Sequence, residues 1–161
     1  MVQQPVPPVL ARAARALIVL ALLAFGTPRS VRAQIAVVVN SANTLEELSL
    51  DNLRRLFLGQ SKTFPTGAHA RLGTHRPSTA AFDRAALGLQ PEIVRSRWMS
   101  MIFRGEATSI PTELATPDEV KKFVRDHADA IAFLPLSQID GTVKVLTVAG
   151  RKPNEAGYAI Q

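Results

Sequence analysis

Residues 35–58 read IAVVVNSANTLEELSLDNLRRLFL, and this stretch decides the fold class of the chain. The apolar, β-branched run 35–39 predicts a strand that is buried on both faces. Residues 40–43 are polar and predict a turn. The apolar residues 50, 53, 56 and 57 recur at helical spacing, and Ser49 and Gly59 suit the start and the end of that helix. The stretch therefore predicts a strand, a turn and a core-facing helix in succession.

The rest of the chain continues this alternation of strands and helices. Thr116-Pro117-Asp118-Glu119 is a capping-box pattern, which predicts a helix that runs to about His127. We expect further helices at 80–87 and 92–104, strands at 70–74, 130–134 and 143–148, and loops at 60–68 and 106–116. Strands that alternate with helices indicate an α/β fold with a mostly parallel sheet and flanking helices. The segment after Gly150 is expected to be held loosely.

Residues 1–33 have the pattern of a secretory signal peptide. Arg12 and Arg15 precede the apolar run 16–25, ALIVLALLAF. This run is shorter than the roughly 20 apolar residues that a spanning helix needs, and Val31-Arg32-Ala33 suits cleavage after Ala33. The sequence thus predicts a signal peptide at 1–33, a domain at 34–150 and a tail at 151–161, in a periplasmic protein that contacts the membrane only before cleavage. The alternative is an uncleaved N-terminal anchor.

Charge and cysteine content exclude several classes of function. The chain has a net charge of +6, but the predicted signal peptide contains four arginines and no acidic residue, so the remainder would carry only about +2. No basic stripe with interleaved aromatic residues remains, which argues against a nucleic acid partner. The chain contains no cysteine, and this excludes disulfides, thiolate metal sites and a cysteine nucleophile.

Two segments resemble a known family. The run IAVVVN and the following LSLDNLRRLFLGQSKTFPTG resemble the start of the second domain in phosphate-binding proteins of ABC importers. Residues 118–134, DEVKKFVRDHADAIAFL, resemble the last helix and strand of short stand-alone relatives. The resemblance implies a single periplasmic-binding-protein-like lobe, related to ABC transporter substrate-binding proteins, that binds phosphate or another oxyanion. Only one of the two lobes would be present in this chain.

The best candidate binding residues are Arg76, Ser78 and Thr79. The family carries a Ser-Gly-Thr turn at the start of a helix, where this chain has Arg76-Pro77-Ser78-Thr79. Helix N-termini favour anions, and an arginine binds oxyanions in a bidentate fashion. Pro77, however, has no N–H to donate. The alternative is an ordinary helix start that is capped by Ser78, with Arg76 in solvent.

Asn40 and Ser41 form a second candidate pair. They follow a predicted strand, and open α/β sheets bind ligands at the carboxyl ends of their strands. A plain polar turn is an equally good interpretation. The three histidines, His69, His75 and His127, lack metal-ligand spacing, so we expect no metal and no cofactor. No catalytic constellation stands out, and an enzyme is the least favoured class of function.

Residues 98–103 contain the apolar side chains Trp98, Met99, Met101 and Phe103. Core packing is the simpler explanation for them. The alternative is a docking surface for an envelope protein partner, because a single lobe exposes surface that a second lobe would cover. The sequence therefore leaves two functions open, an exported oxyanion-binding protein and a non-transport interaction module with the same fold.

Overall fold

The computed structural model describes residues 34–160. The predicted signal peptide at 1–33 lies outside the described residues. The elements, in chain order, are β1 (Ile35–Val39), β2 (Glu47–Leu48), α1 (Leu50–Phe57), β3 (Arg71–His75), α2 (Arg76–Phe82), α3 (Pro91–Phe103), β4 (Thr112–Leu114), α4 (Pro117–Asp126), β5 (Ala130–Pro135), β6 (Lys144–Val145) and β7 (Thr147–Val148). A π-helical turn, Asp83–Leu87, continues α2, and a 3₁₀ turn, Leu136–Gln138, follows β5.

The central sheet has five strands in the order β4-β3-β5-β1-β6. β3 pairs in parallel with both β4 and β5, whereas β1 pairs antiparallel with both β5 and β6. Four of the five strands therefore point the same way, and β1 alone is reversed. The predicted α/β class with a mainly parallel sheet is confirmed. β2 and β7 form a separate parallel pair.

Both faces of this sheet are buried, as the uninterrupted apolar run of β1 predicted. Ile35, Val37 and Val39 belong to the larger core cluster, together with residues of α1, α2 and α3. Val38 belongs to a smaller cluster with Val120 and Val124 of α4. Successive side chains of a strand point to opposite faces, so β1 contributes to both cores.

The capping residues predicted from the sequence mark the starts of α1 and α4 correctly. The Ser49 side chain accepts a hydrogen bond from the Asn52 N–H at 3.2 Å and caps α1. Thr116 caps α4 in the same way through the Glu119 N–H, also at 3.2 Å. Gly59 ends the α1 turn at φ +70°, and a Cβ there would lie 2.4 Å from the Met101 side chain. Residues with a Cβ rarely adopt this φ, so another residue at Gly59 would strain the backbone.

The segment after Gly150 is not loosely held, so that prediction is wrong. Tyr158 and Ile160 are buried in the larger core cluster, and the Ile35 N–H donates to the Ile160 carbonyl at 3.3 Å. The domain therefore continues at least to Ile160 and does not end at 150. Two apolar side chains spaced along a polar segment give too weak a periodic signal to predict this docking.

Three further details differ from the sequence prediction. The expected strand at 143–148 divides into β6 and β7, which belong to different sheets. The expected loop at 106–116 contains β4, the edge strand of the main sheet. On α3, core packing was the simpler explanation for Trp98, Met99, Met101 and Phe103, but only Trp98 and Met101 are buried, whereas Met99 is 41% and Phe103 84% exposed. Among residues 34–160, none of the helices is long and apolar enough to cross a membrane.

Candidate functional site

The candidate site lies where β3 passes directly into α2. His75 is the last residue of β3 and occupies the N-cap position of α2, so Arg76 is the first helical residue. His75 pairs with Leu114 at the end of β4, and α4 begins three residues after Leu114. The N-termini of α2 and α4 therefore lie at the same end of the sheet, beyond the carboxyl ends of parallel strands, where α/β sheets bind ligands.

The first turn of α2 differs from that of the other described helices. α1, α3 and α4 each carry at least one acidic residue in their first turn. α2 carries none and instead begins with the cation Arg76. Acidic side chains in a first turn neutralise the partial positive charge of a helix N-terminus. The start of α2 therefore keeps its positive potential, which favours an anion.

The predicted residues Ser78 and Thr79 both contact His75. The Thr79 hydroxyl donates to the His75 carbonyl at 3.0 Å. The Ser78 Oγ lies 2.8 Å from His75 Nδ1, and both side chains are buried. His75 Nε2 is also buried and has no hydrogen-bond partner among the described residues. Burial lowers the pKa of the His75 imidazole, so this ring is neutral near pH 7. Ser78 thus supports the strand-to-helix turn and is not the N-cap that the alternative interpretation expected.

Arg76 is the charged group that faces solvent at this site. Its side chain is 61% exposed, and its Nε lies 3.5 Å from the Glu113 Oε1 on neighbouring β4. A pair this exposed contributes little to stability. The guanidinium can therefore exchange Glu113 for another oxyanion at small cost, and Glu113 competes with any anion for Arg76.

The structure does not bring Asn40 and Ser41 to this site. Because β1 is reversed, its last residue, Val39, pairs with Ile131 near the start of β5. Asn40 therefore lies at the end of the sheet where β3 begins, roughly 16 Å along the strand direction from Arg76 at about 3.3 Å per residue. The expectation that β1 ends at the same edge as the parallel strands was wrong for this reason.

The Asn40 side chain has a structural role at that opposite end. Its amide donates to the carbonyls of Val124 and Arg125 at the end of α4, both at 2.9 Å. Its Oδ1 accepts from the Ala42 N–H at 2.8 Å. Both amide hydrogens are used within the protein, and Ser41 is exposed beside it.

Two cavities flank the loop before β4, and the sequence indicated neither of them. The larger has a volume of about 460 Å³ and is lined by basic side chains that include Lys62, His69 and Arg71. His69 and Arg71 both contact the Asp129 carboxylate at 3.2 Å, so Asp129 partly neutralises the charge of Arg71. The smaller, of about 210 Å³, is lined by Thr79, Asp83 and Trp98 among others. These side chains come from separated segments, and only the tertiary structure brings them together.

Residues 34–160 contain no cluster of side chains that could bind a metal ion. Within residues 34–160, no three histidine or carboxylate side chains are placed to hold a metal ion. The three histidines lie in different places: His69 beside Asp129, His75 beside Ser78, and His127 with its Nδ1 2.8 Å from the Phe123 carbonyl.

Comparison with solved structures identifies the fold. A protein of Clostridium perfringens described as a phosphate ABC transporter substrate-binding protein, solved with bound phosphate, matches with a TM-score of 0.60 and 17% identity, over 74% of this chain and 46% of that chain. PstS from Borrelia burgdorferi matches with a TM-score of 0.58 and 11% identity, over 79% and 53% of the two chains. An ABC-type phosphate transport receptor from Vibrio cholerae matches with a TM-score of 0.51 and 17% identity, over 75% and 48%.

The described chain shares the fold of part of these substrate-binding proteins. It spans about half the length of each of the three. No protein-family model matches the sequence, and no curated protein matches it. At 11–17% identity this likeness shows the fold alone and does not identify a ligand for this chain.

Proposed function

We propose that this protein is an exported, non-enzymatic solute-binding protein, and that it binds a small oxyanion such as phosphate at the start of α2. The observation that carries the proposal is the first turn of α2, which offers the exposed cation Arg76 and no acidic residue. Its position beyond the carboxyl ends of β3 and β4 is where an α/β sheet binds ligands. The fold likeness to a structure that contains phosphate supports the same ligand class.

The proposed site uses Arg76 as the charged ligand and Thr79 as a helper. Arg76 would bind two oxygens of the anion with its guanidinium. Thr79 lies one turn further along the same helix, and its hydroxyl donates to the His75 carbonyl at 3.0 Å. To help an anion, this hydroxyl would have to turn its proton from that carbonyl toward the anion. Ser78 would act indirectly, through its contact with the His75 ring. Asn40 and Ser41 are not part of the proposed site.

The affinity of such a site is expected to be modest. A single lobe leaves one side of the anion in water, where the high dielectric weakens each charge interaction. Pro77 removes one backbone donor from the first turn, and Glu113 competes for Arg76. A tighter complex would need a second surface that closes over the anion.

Isothermal titration calorimetry of the purified protein with phosphate, sulfate and small carboxylates tests the proposal. We expect saturable heat with at least one tetrahedral oxyanion. The matched control for Arg76→Ala is Arg55→Ala, because Arg55 is a similarly exposed arginine that is paired with Asp51 at 2.8 Å. Wild-type affinity in Arg76→Ala would exclude this site.

A second candidate function is favoured by the outer surface of α3. Ile93, Met99 and Phe103 are exposed there, Phe103 to 84%. Large exposed apolar side chains are typical of interaction surfaces. The sequence-based alternative of an interaction module that contacts an envelope protein rests on this surface. It predicts no heat with any small anion, and loss of partner binding in a Met99→Ser, Phe103→Ser variant that keeps the wild-type melting temperature.

A further inference from the structure

Asp83 is a buried carboxylate without a hydrogen-bonding partner in the described part of the chain. It begins the π-helical turn after α2 and is only 4% exposed. None of the side-chain hydrogen bonds or ion pairs among residues 34–160 includes it, although Asp83 lines the cavity of about 210 Å³. Burial is costly for an ionised carboxylate, because it loses most of its water and no described side chain hydrogen-bonds to it in return. Native proteins rarely keep such a group without a purpose.

The cavity around Asp83 is lined by both acidic and apolar residues. Asp83 and Glu113 supply carboxylates, and Thr74 and Thr79 supply hydroxyl groups. The apolar part of the lining consists of Phe57, Leu87, Pro91, Val94, Trp98, Ile110 and Pro111. Arg95 also contributes to the lining, but it is an exposed residue. Small-molecule sites typically have this composition, an apolar body with a few polar groups that orient the ligand.

We propose that this cavity is a second ligand site, which binds a small primary amine with its ammonium group on Asp83 and its apolar body against Trp98 and Ile110. The ammonium group supplies the positive charge and the hydrogen-bond donors that the Asp83 carboxylate lacks. The Thr79 hydroxyl and Glu113 are acceptors for the remaining donors. The aromatic rings of Trp98 and Phe57 add a surface that favours a cation. The inference does not rest on the oxyanion proposal. The two sites share Thr79 and Glu113, but this one is centred on the buried carboxylate of Asp83 and takes a ligand of the opposite charge.

The ionisation of Asp83 makes this binding dependent on pH. Burial, as the main cause, raises the pKa of the Asp83 carboxyl to about 6; neighbouring Arg84 lowers the value, and Glu92 on α3 raises it. Arg95 of α3 and Glu113 of β4 are the other charged groups that line the cavity. A primary alkylammonium stays protonated across the range from pH 5 to 7.5, as lysine does. Affinity should therefore fall as the pH drops below 6 and Asp83 takes up a proton.

The experiment uses benzylamine, with benzyl alcohol and benzoate as its neutral and anionic counterparts. Trp98 is the only tryptophan of the chain and lines the cavity, so its fluorescence reports binding directly. We expect a saturable change with benzylamine at pH 7.5, and affinity at least tenfold weaker for benzyl alcohol and for the Asp83→Asn variant. Asp51→Asn, at an exposed aspartate of α1, should bind as the wild type does. Equal or tighter binding of benzoate would overturn the proposal, as would unchanged affinity in Asp83→Asn.

A wild-type titration keeps the proposal testable if Asp83→Asn fails to fold. Benzylamine affinity is measured on the unmodified protein at pH 7.5 and at pH 5. A several-fold loss at pH 5 supports a carboxylate ligand of raised pKa. Affinity that is constant or higher at pH 5 overturns the proposal. The absence of any saturable change up to about 20 mM also overturns it, because the binding free energy would then be weaker than about −2.3 kcal/mol.

Discussion

The rings of Phe82 on α2 and Phe133 on β5 stack with 3.9 Å between their centroids and 4° between their planes. Phe57 of α1 completes the group, with its ring centroid 4.9 Å from that of Phe82 and 62° between the two ring planes. These three rings join two helices to the central sheet. They also anchor α2, whose first turn forms the proposed oxyanion site.

Phe82→Ala should therefore destabilise the protein by about 3–5 kcal/mol, because it removes a fully buried ring and leaves a cavity between two others. The matched control is Phe103→Ala. Phe103 is 84% exposed, so its truncation should change the free energy of unfolding by less than about 0.5 kcal/mol. Urea denaturation followed by circular dichroism measures both. Similar midpoints for the two variants would show that Phe82 is not in the core.

Ile160→Ala tests whether the segment after Gly150 belongs to the domain. Ile160 is completely buried, so its truncation is expected to cost about 2–5 kcal/mol. Ile93→Ala is the matched control, since Ile93 is 55% exposed and should tolerate the change. A loosely held tail would instead give two variants with the same thermal midpoint.

Phosphate affinity should respond in opposite directions to the two members of the Arg76–Glu113 pair. Arg76→Ala removes a charge-assisted hydrogen bond, worth about 1.5–3 kcal/mol, and should weaken binding at least tenfold. Glu113→Gln removes a competing carboxylate and should strengthen binding by up to about fivefold, the equivalent of about 1 kcal/mol. Calorimetry at low and high salt provides a further check, because screening weakens exposed charge interactions. Weaker phosphate binding in Glu113→Gln would contradict the proposed competition.

Asp83 should make stability depend on pH in a predictable direction. Its pKa is about 6 in the folded protein against an ordinary value of 3.8. The folded state therefore binds the proton more tightly, and stability from this group is lost as the pH rises from about 4 through 6. Above that range the ionised carboxylate destabilises the fold by up to about 3 kcal/mol.

In the absence of ligand, Asp83→Asn should raise the free energy of unfolding by up to about 3 kcal/mol at pH 7.5, and by less than about 1 kcal/mol at pH 4. Comparing each variant with the wild type at the same pH cancels the contribution of the other carboxylates. Asp51→Asn, at an exposed position paired with Arg55, should show a small effect at both values. A stabilisation in Asp83→Asn that does not change with pH would mean that Asp83 is not the ionised group.

The sequence by itself determined the elements whose signals are local. The continuous apolar run of β1 predicted a strand buried on both faces, because only a strand covered on both sides needs apolar side chains at every position. The pattern from Thr116 to Glu119 predicted the start of α4, because capping bonds form between residues three apart. The alternation of such elements was enough to predict the α/β class. The resemblance to substrate-binding proteins came from the segments 35–67 and 118–134.

Only the tertiary structure decided how these elements are arranged. β1 is reversed relative to its neighbours, and this reversal separates Asn40 from Arg76, although both follow a strand. The burial of Asp83 and Ile160, and the short strand β4, also depend on partners far away in the chain. The direction and pairing of a strand depend on the burial that the whole chain achieves. The sequence of one strand therefore does not determine which strands it will pair with.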